Sequence, residues 1–459
     1  MRSITIFQFI LFVFNPFRRF EHWFVVVEAI SVSTRSRHQQ SFLDIGCTSV
    51  RHFFDDSSLL VGTKKGGILH LISSLPKGLS DDSGRVTDDL TDIDAGEGGM
   101  EKWSKLESTG YETRYPIYSI TTATQGGKNS LLGKHEEKFI FCGSGDRWIS
   151  VWKVANHDVN DNAGDGPPNT QTRGFEYVHK LGPHTGWVKA LVYDEKSRIL
   201  HSIGCNCIES WDCSRMNECR VKRVDDDDDD DAPYKISHIG KRTIENCPTL
   251  GTTLSSDLLC LCLVKSTFGS DEELSRLLVS GGVDGRIHLW TSDFCGKRKQ
   301  SLPSFDGRTP LHTTLAHNGR VNAIAYSSTV NAIFTVGNDG VFTVFRVSSE
   351  EGFESISTLA IEDVSNENAS RLTAVSITKE HKESSECSLA VGTSKGGIYF
   401  ITAKLKSDGG VTCRLENDRV TVKEGSMIYS LSHERTIGKK SSRRLWVGHA
   451  SGLVALSVC

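Results

Sequence analysis

"LLVSGGVDGRIHLW" (residues 277–290) decides the fold. Two apolar, β-prone runs flank a small-residue turn, Ser280-Gly281-Gly282-Val283-Asp284-Gly285. Ser280 and Asp284 stand four apart, and Trp290 lies six beyond the Asp. The pattern returns along the chain. "FIFCGSGDRWISVW" (139–152) repeats the Asp146-to-Trp152 spacing, and "ILHSIGCNCIESW" (199–211) carries Ser202, Asn206 and Trp211. "AIFTVGNDGVFTVF" (332–345) has Thr335 and Asp339, with Phe345 in the Trp place. "LLVGTKKGGILHLI" (59–72), "LAVGTSKGGIYFIT" (389–402) and "RLWVGHASGLVALSVC" (444–459) keep the strand-turn-strand outline. With the opening stretch that makes seven units.

A short strand precedes each unit, as in "WVKALVY" (187–193) and "RVNAIAY" (320–326), and a fourth candidate follows, as in "FEYVHKL" (175–181) and "FESISTLA" (353–360). Alternating apolar residues bounded by Gly, Asn, Asp and Ser specify strands. No segment shows a long helical period. The predicted fold is all-β: a seven-bladed β-propeller of four-stranded antiparallel blades with long polar loop insertions, occupying residues 41–459.

The chain resembles the WD-repeat β-propeller family on these residues, most strongly in "PHTGWVKALVYDEKSRILHSIGCNCIESWD" (183–212) and "AHNGRVNAIAYSSTVNAIFTVGNDGVFTVF" (316–345). In that family a His before the first strand, a Ser or Thr on the second, a turn Asp and a Trp on the third form a hydrogen-bonded relay. The resemblance assigns His184, Ser202, Asn206 and Trp211 to unit three. It assigns His317, Thr335, Asp339 and Phe345 to unit five, and Ser280, Asp284 and Trp290 to unit four, which has no matching His. Unit two offers Asp146 and Trp152. The role implied is structural: buried imidazole and indole N–H groups are costly unless paired. The resemblance also implies a partner-facing rim, made by the residue before each turn Asp (Gly145, Cys205, Val283, Asn338) and by Thr185, Trp187, Asn318 and Arg320 near the first strands. Trp and Arg are residue types enriched at binding hot spots.

Seven blades need roughly 300 residues, and the chain has 459. The surplus falls in polar stretches near 79–101, 156–174 and 216–244, the last holding seven consecutive aspartates, Asp225 to Asp231. Such segments bury too little apolar surface to order themselves. Net charge is −4, so the whole chain carries no basic footprint for nucleic acid. The 13 cysteines follow no repeating spacing and read as reduced residues of an intracellular protein, cytoplasmic or nuclear. Residues 1–40 form a separate segment. Ile4 to Phe17 is apolar but short for a bilayer span, and Ser31 to Phe42 suits a transit segment. Two readings stand: a targeting peptide, directing the chain to an organelle such as a plastid or to the secretory route, or a strand. The final unit lacks a fourth strand, and "HWFVVVEAISV" (22–32) is placed to supply it, because an open blade edge leaves backbone groups unpaired.

Motifs for chemistry are sparse. "GTSKG" (392–396) matches the nucleophile elbow around Ser394, but that turn must lead into a helix and here a strand follows. Cys205, Cys207, Cys213 and Cys219 cluster without zinc-type CxxC pairs, so no metal and no cofactor are expected. Asn368-Ala369-Ser370 is a lone glycosylation sequon. The expected function is a non-catalytic protein–protein interaction scaffold, not an enzyme. Its partners are other proteins, with no nucleic acid, small-molecule substrate or stable membrane span. "WDCSR" (211–215), close to the W-D-x-R adaptor motif, keeps a ubiquitin-ligase substrate receptor as the alternative, and an organelle-targeted assembly factor is the other.

Overall fold

The structure is a computed structural model and describes residues 5–11, 25–31, 47–52, 58–72, 102–105, 113–126, 136–155, 174–216, 236–244, 257–265, 276–292, 309–348, 352–361, 370–422, 424–433 and 443–458. Among these residues there is no α-helix. Seven antiparallel sheets follow one another along the chain. The blades occupy residues 47–105, 117–181, 188–243, 258–315, 321–360, 372–421 and 428–458. Blades 1 to 6 are each a meander in which a strand pairs with the next in sequence, so each is a local product of its own turns; the last sheet also takes strands from the other end of the chain.

A single twisted sheet leaves both faces wet, and the blades solve this by stacking. The buried apolar residues fall into seven clusters, each bridging two adjacent blades. Phe139 and Phe141 of blade 2 pack with Leu191, Leu200 and Trp211 of blade 3. Ile203 and Ile208 of blade 3 pack with Leu258, Leu278 and Trp290 of blade 4. The circle closes where Trp446 of blade 7 meets Cys47, Val50 and Leu59 of blade 1. The other four seams lie between blades 1 and 2, 4 and 5, 5 and 6, and 6 and 7.

Close approach at the seams explains a repeated glycine on the second strand. A Cβ on Gly143 would lie 2.6 Å from Val188 of the next blade, on Gly281 2.6 Å from Val321, and on Gly392 2.6 Å from Ile428. Blades 3 and 5 carry Ile203 and Val336 at this place, and these join the apolar seams instead.

The 216–244 stretch is not polar loop throughout. It ends in the fourth strand of blade 3, Ser237–Thr243, which pairs with Cys207–Asp212. The 156–174 stretch gives way at Gly174 to the fourth strand of blade 2. The 79–101 stretch, the aspartate run and Asn368 lie outside the described residues. In the last blade, Val25–Ser31 lies beside Gly452–Val458, with Val27 opposite Leu456 and Glu28 opposite Ala455. Thr5–Leu11 pairs outside it as a fifth strand. Among the described residues no helix is long and apolar enough to cross a membrane.

Candidate interaction rim

The hydrogen bonds beneath the rim come first, because they set its shape. In blade 4 the register places Trp290 opposite Leu278. Period-2 geometry then puts the indole on the face of Ser280, and Trp290 Nε1–H donates to Ser280 Oγ at 2.9 Å. Blade 3 repeats this with Trp211 and Ser202, also at 2.9 Å, and His184 Nε2 lies 3.0 Å from the same hydroxyl. Blade 5 keeps the other half. His317 Nε2 lies 2.9 Å from Thr335 Oγ1, and His317 Nδ1 lies 3.0 Å from Asp339 Oδ1. Phe345 supplies no indole N–H there. Asp339 also accepts the backbone N–H of Asn318 and Val341. Burial pushes its carboxyl up, but these bonds and the charge of His317 outweigh burial and hold it below its ordinary value.

Several residues assigned to the relay act elsewhere. Asn206 turns away from His184 and donates from Nδ2 to the Ile244 carbonyl at 3.2 Å. The carboxylate facing His184 is that of Glu209, 3.4 Å from Nδ1 and on the third strand. Asp284 accepts the N–H of Arg286, and Asp146 that of Trp148, so both brace their own turns. The Ser place of blade 2 holds Cys142. Trp152 Nε1–H donates instead to Ser150 Oγ, two residues back on its own strand. Ser394 Oγ accepts the N–H of Arg371, and a strand follows its turn. Asp212 of "WDCSR" accepts the N–H of Ser214.

All seven first strands share a β-bulge at their second residue. The register skips Thr48, Tyr118, Lys189, Leu259, Asn322, Thr373 and Tyr429. A bulge frees one residue from the ladder and re-aims its side chain. Two of these residues stitch neighbouring blades: Thr48 Oγ–H donates to the Ile117 carbonyl at 2.6 Å, and Asn322 Nδ2 donates to the Leu372 carbonyl at 2.6 Å. Three others build an aromatic and cationic surface. Tyr118 stacks on Trp187 across the seam of blades 2 and 3, with ring centroids 5.8 Å apart. Lys189 Nζ lies 3.8 Å from the Tyr118 centroid and 4.5 Å from that of Trp187. Lys64 covers Tyr429 at 4.9 Å. Burial, together with the charge of Arg320, pulls the Lys189 ammonium down to about 8, against the opposing pull of Asp257.

Tyr115 leads into the first strand of blade 2 and packs its Cβ beside Gly145 on the same rim. Four large hydrophobic residues are exposed among the described residues, and three are here: Tyr115 at 56%, Trp187 at 51% and Tyr429 at 36%. Trp187 therefore covers the edge of its seam with one face, on Tyr118, and leaves the rest of the indole open. Asn318 and Arg320 are exposed. Thr185 is exposed, but its hydroxyl lies 3.5 Å from the Gly204 carbonyl. Asn338 is half-buried and accepts Asn322 Nδ2 at 2.8 Å. Sequence reasoning missed Tyr115, Tyr118, Lys189 and Tyr429. The signal was the repeated apolar residue that opens each first strand, with the bulged residue always next to it.

No protein-family model matches the chain, and no curated protein matches it. Among solved structures it is similar to that of Chaetomium thermophilum Sqt1 bound to the N-terminus of the ribosomal protein L10, at 13% identity with a TM-score of 0.53. The match covers 90% of this chain and 84% of that one. At that identity the match speaks for the fold, and the fold is the seven-bladed β-propeller.

Proposed function

We propose that the chain is a WD-repeat propeller acting as a non-catalytic protein-interaction platform, and that its rim grips an extended, acidic segment of a partner protein. The observation that carries this reading is the gathering of Tyr115, Trp187 and Tyr429, exposed, on one end of the ring. Contiguous exposed aromatics on a soluble protein mark binding surfaces. Lys189, Lys64 and Arg320 stand among them, and Lys65, Arg371 and Lys395 are exposed on the same end. These cations favour an acidic partner and a fast, salt-sensitive encounter. The similar propeller, Sqt1, holds the N-terminus of a ribosomal protein, which supports an extended segment as the occupant here.

The test is affinity capture followed by mass spectrometry, repeated with Trp187→Ala and Arg320→Ala. Each substitution should weaken capture of the partner by roughly 30-fold or more, the scale of a hot-spot residue. Both variants should melt within a few degrees of the parent. Capture that survives both substitutions but fails on deletion of Asp225 to Asp231 would move the site to the acidic run.

A further inference from the structure

Blade 3 holds a second cluster whose chemistry the interaction rim does not use. His184 Nδ1, Cys207 Sγ and a Glu209 carboxylate oxygen lie within 4.8 Å of one another, and all three residues are buried. Cys207 Sγ is 3.9 Å from Glu209 Oε1, and His184 Nδ1 is 3.4 Å from it. Cys207 and Glu209 are two apart on the third strand and share its face. His184 arrives from the loop before the first strand, and its side chain is fully inaccessible.

The hydrogen bonding of His184 leaves that corner unfinished. Nδ1 has no hydrogen-bond partner. Ser202 can satisfy everything on the other side of the ring. Its hydroxyl donates to the Glu209 carbonyl at 3.3 Å and accepts from Trp211 Nε1–H, with a lone pair left for His184 Nε2–H. In that tautomer Nδ1 presents a bare lone pair to a carboxylate and a thiol. Blade 5 shows the contrast, because there His317 Nδ1 meets Asp339 at hydrogen-bond distance.

We propose that His184 Nδ1, Cys207 Sγ and Glu209 form a zinc-class metal site, with water as the fourth ligand. One nitrogen, one sulfur and one oxygen donor match zinc's borderline preference, and tetrahedral bonds of about 2.0–2.3 Å set ligand atoms roughly 3.3–3.7 Å apart. The His184–Glu209 pair already stands at 3.4 Å and the Cys207–Glu209 pair at 3.9 Å, so closing the site falls mainly to the thiol, which must approach the imidazole by up to about 1 Å. Binding displaces the thiol proton to solvent. His238 Nε2, 3.5 Å from Glu209 Oε2, orients the carboxylate from the partly exposed fourth strand. Lys241 Nζ, 4.0 Å from Glu209 Oε1, is the competing cation, and its side chain is exposed enough to swing out.

The experiment is a Co2+ titration of the full chain, stripped with chelator and kept reduced, read by the thiolate-to-cobalt charge-transfer absorbance. Zn2+ competition and the zinc-dependent melting temperature are recorded alongside. The parent should show the band, lose it to Zn2+ and melt higher with Zn2+. Cys207→Ser should abolish the band, whereas Cys205→Ser, at the neighbouring turn, should keep it. His238→Ala should weaken binding about 10–100-fold, and Lys241→Met should strengthen it. Circular dichroism establishes that each variant is folded. A folded parent with no band and no zinc-dependent rise in melting temperature overturns the site. So does a band that survives Cys207→Ser. Neither outcome bears on the rim, which is read by partner capture.

Discussion

Trp290→Ala tests the architecture at its most informative residue. The indole is fully buried in the seam between blades 3 and 4, against Ile203, Ile208, Leu258 and Leu278. A Trp side chain buries on the order of 200 Å², worth about 5 kcal/mol at about 25 cal/mol per Å². The bond from its N–H to Ser280 adds about 1 kcal/mol. Measured truncations of large aromatics cost about 3–5 kcal/mol because the cavity partly collapses, and that value is expected here. Such a loss is a large share of the roughly 5–15 kcal/mol that holds a domain together. At roughly 2–4 °C per kcal/mol it lowers the melting temperature by roughly 6–20 °C. Trp290→Phe keeps most of the volume and loses the hydrogen bond, so it should cost about 1–2 kcal/mol. The assay is thermal unfolding followed by far-ultraviolet circular dichroism for parent and both variants. A Trp290→Ala protein that melts with the parent would show that the ring does not fill the seam. Equal losses for Ala and Phe would show that the hydrogen bond, not burial, carries the stability.

Three further outcomes are expected. Arg276 of blade 4 reaches Asp194 of blade 3, a carboxylate that is almost fully buried. Arg276→Ala should cost about 3–5 kcal/mol by stranding that charge, read as a lower urea midpoint; a midpoint equal to the parent's refutes the pairing. Burial, with the charge of Arg242, holds His201 down to about 3. Burial likewise holds His288 down to about 4, with Asp284 pulling it up and Arg286 down. Unfolded histidines take protons near pH 6.5, so these two contribute stability that is fully present above that pH. It is lost as pH falls toward 4, by about 1.4 kcal/mol per pH unit for each histidine. His201→Gln should flatten the slope of stability against pH by that amount, and an unchanged slope would refute the buried neutral imidazole. Finally, we propose that Val25–Ser31 completes the last blade. Removal of residues 1–40 should then lower the melting temperature and promote association through the bared edge of Gly452–Val458. A truncated chain as stable and as monomeric as the parent would exclude that role.

The blades were legible in the sequence because each is local. Alternation, small-residue turns and the Ser280-to-Trp290 spacing are set within about 40 residues, and period-2 geometry carries the tryptophan onto the serine without help from the rest of the chain. Neighbours in space decided the rest. The fourth strand of blade 3, "SHIGKRT", is polar and mostly half-buried, so it lacks the alternation that announces a strand, and only pairing with Cys207–Asp212 reveals it. Asn206 and Glu209 both lie within reach of His184 in sequence terms, but the turn sends Asn206 to Ile244 and strand pleating sends Glu209 to the imidazole. Trp187 reads equally well as a seam residue. It stays half exposed at the rim, where one face stacks on Tyr118, which a bulge frees from the ladder of the preceding blade. Such contacts join residues far apart in the chain through the curvature of the ring, and a linear pattern holds no record of that curvature.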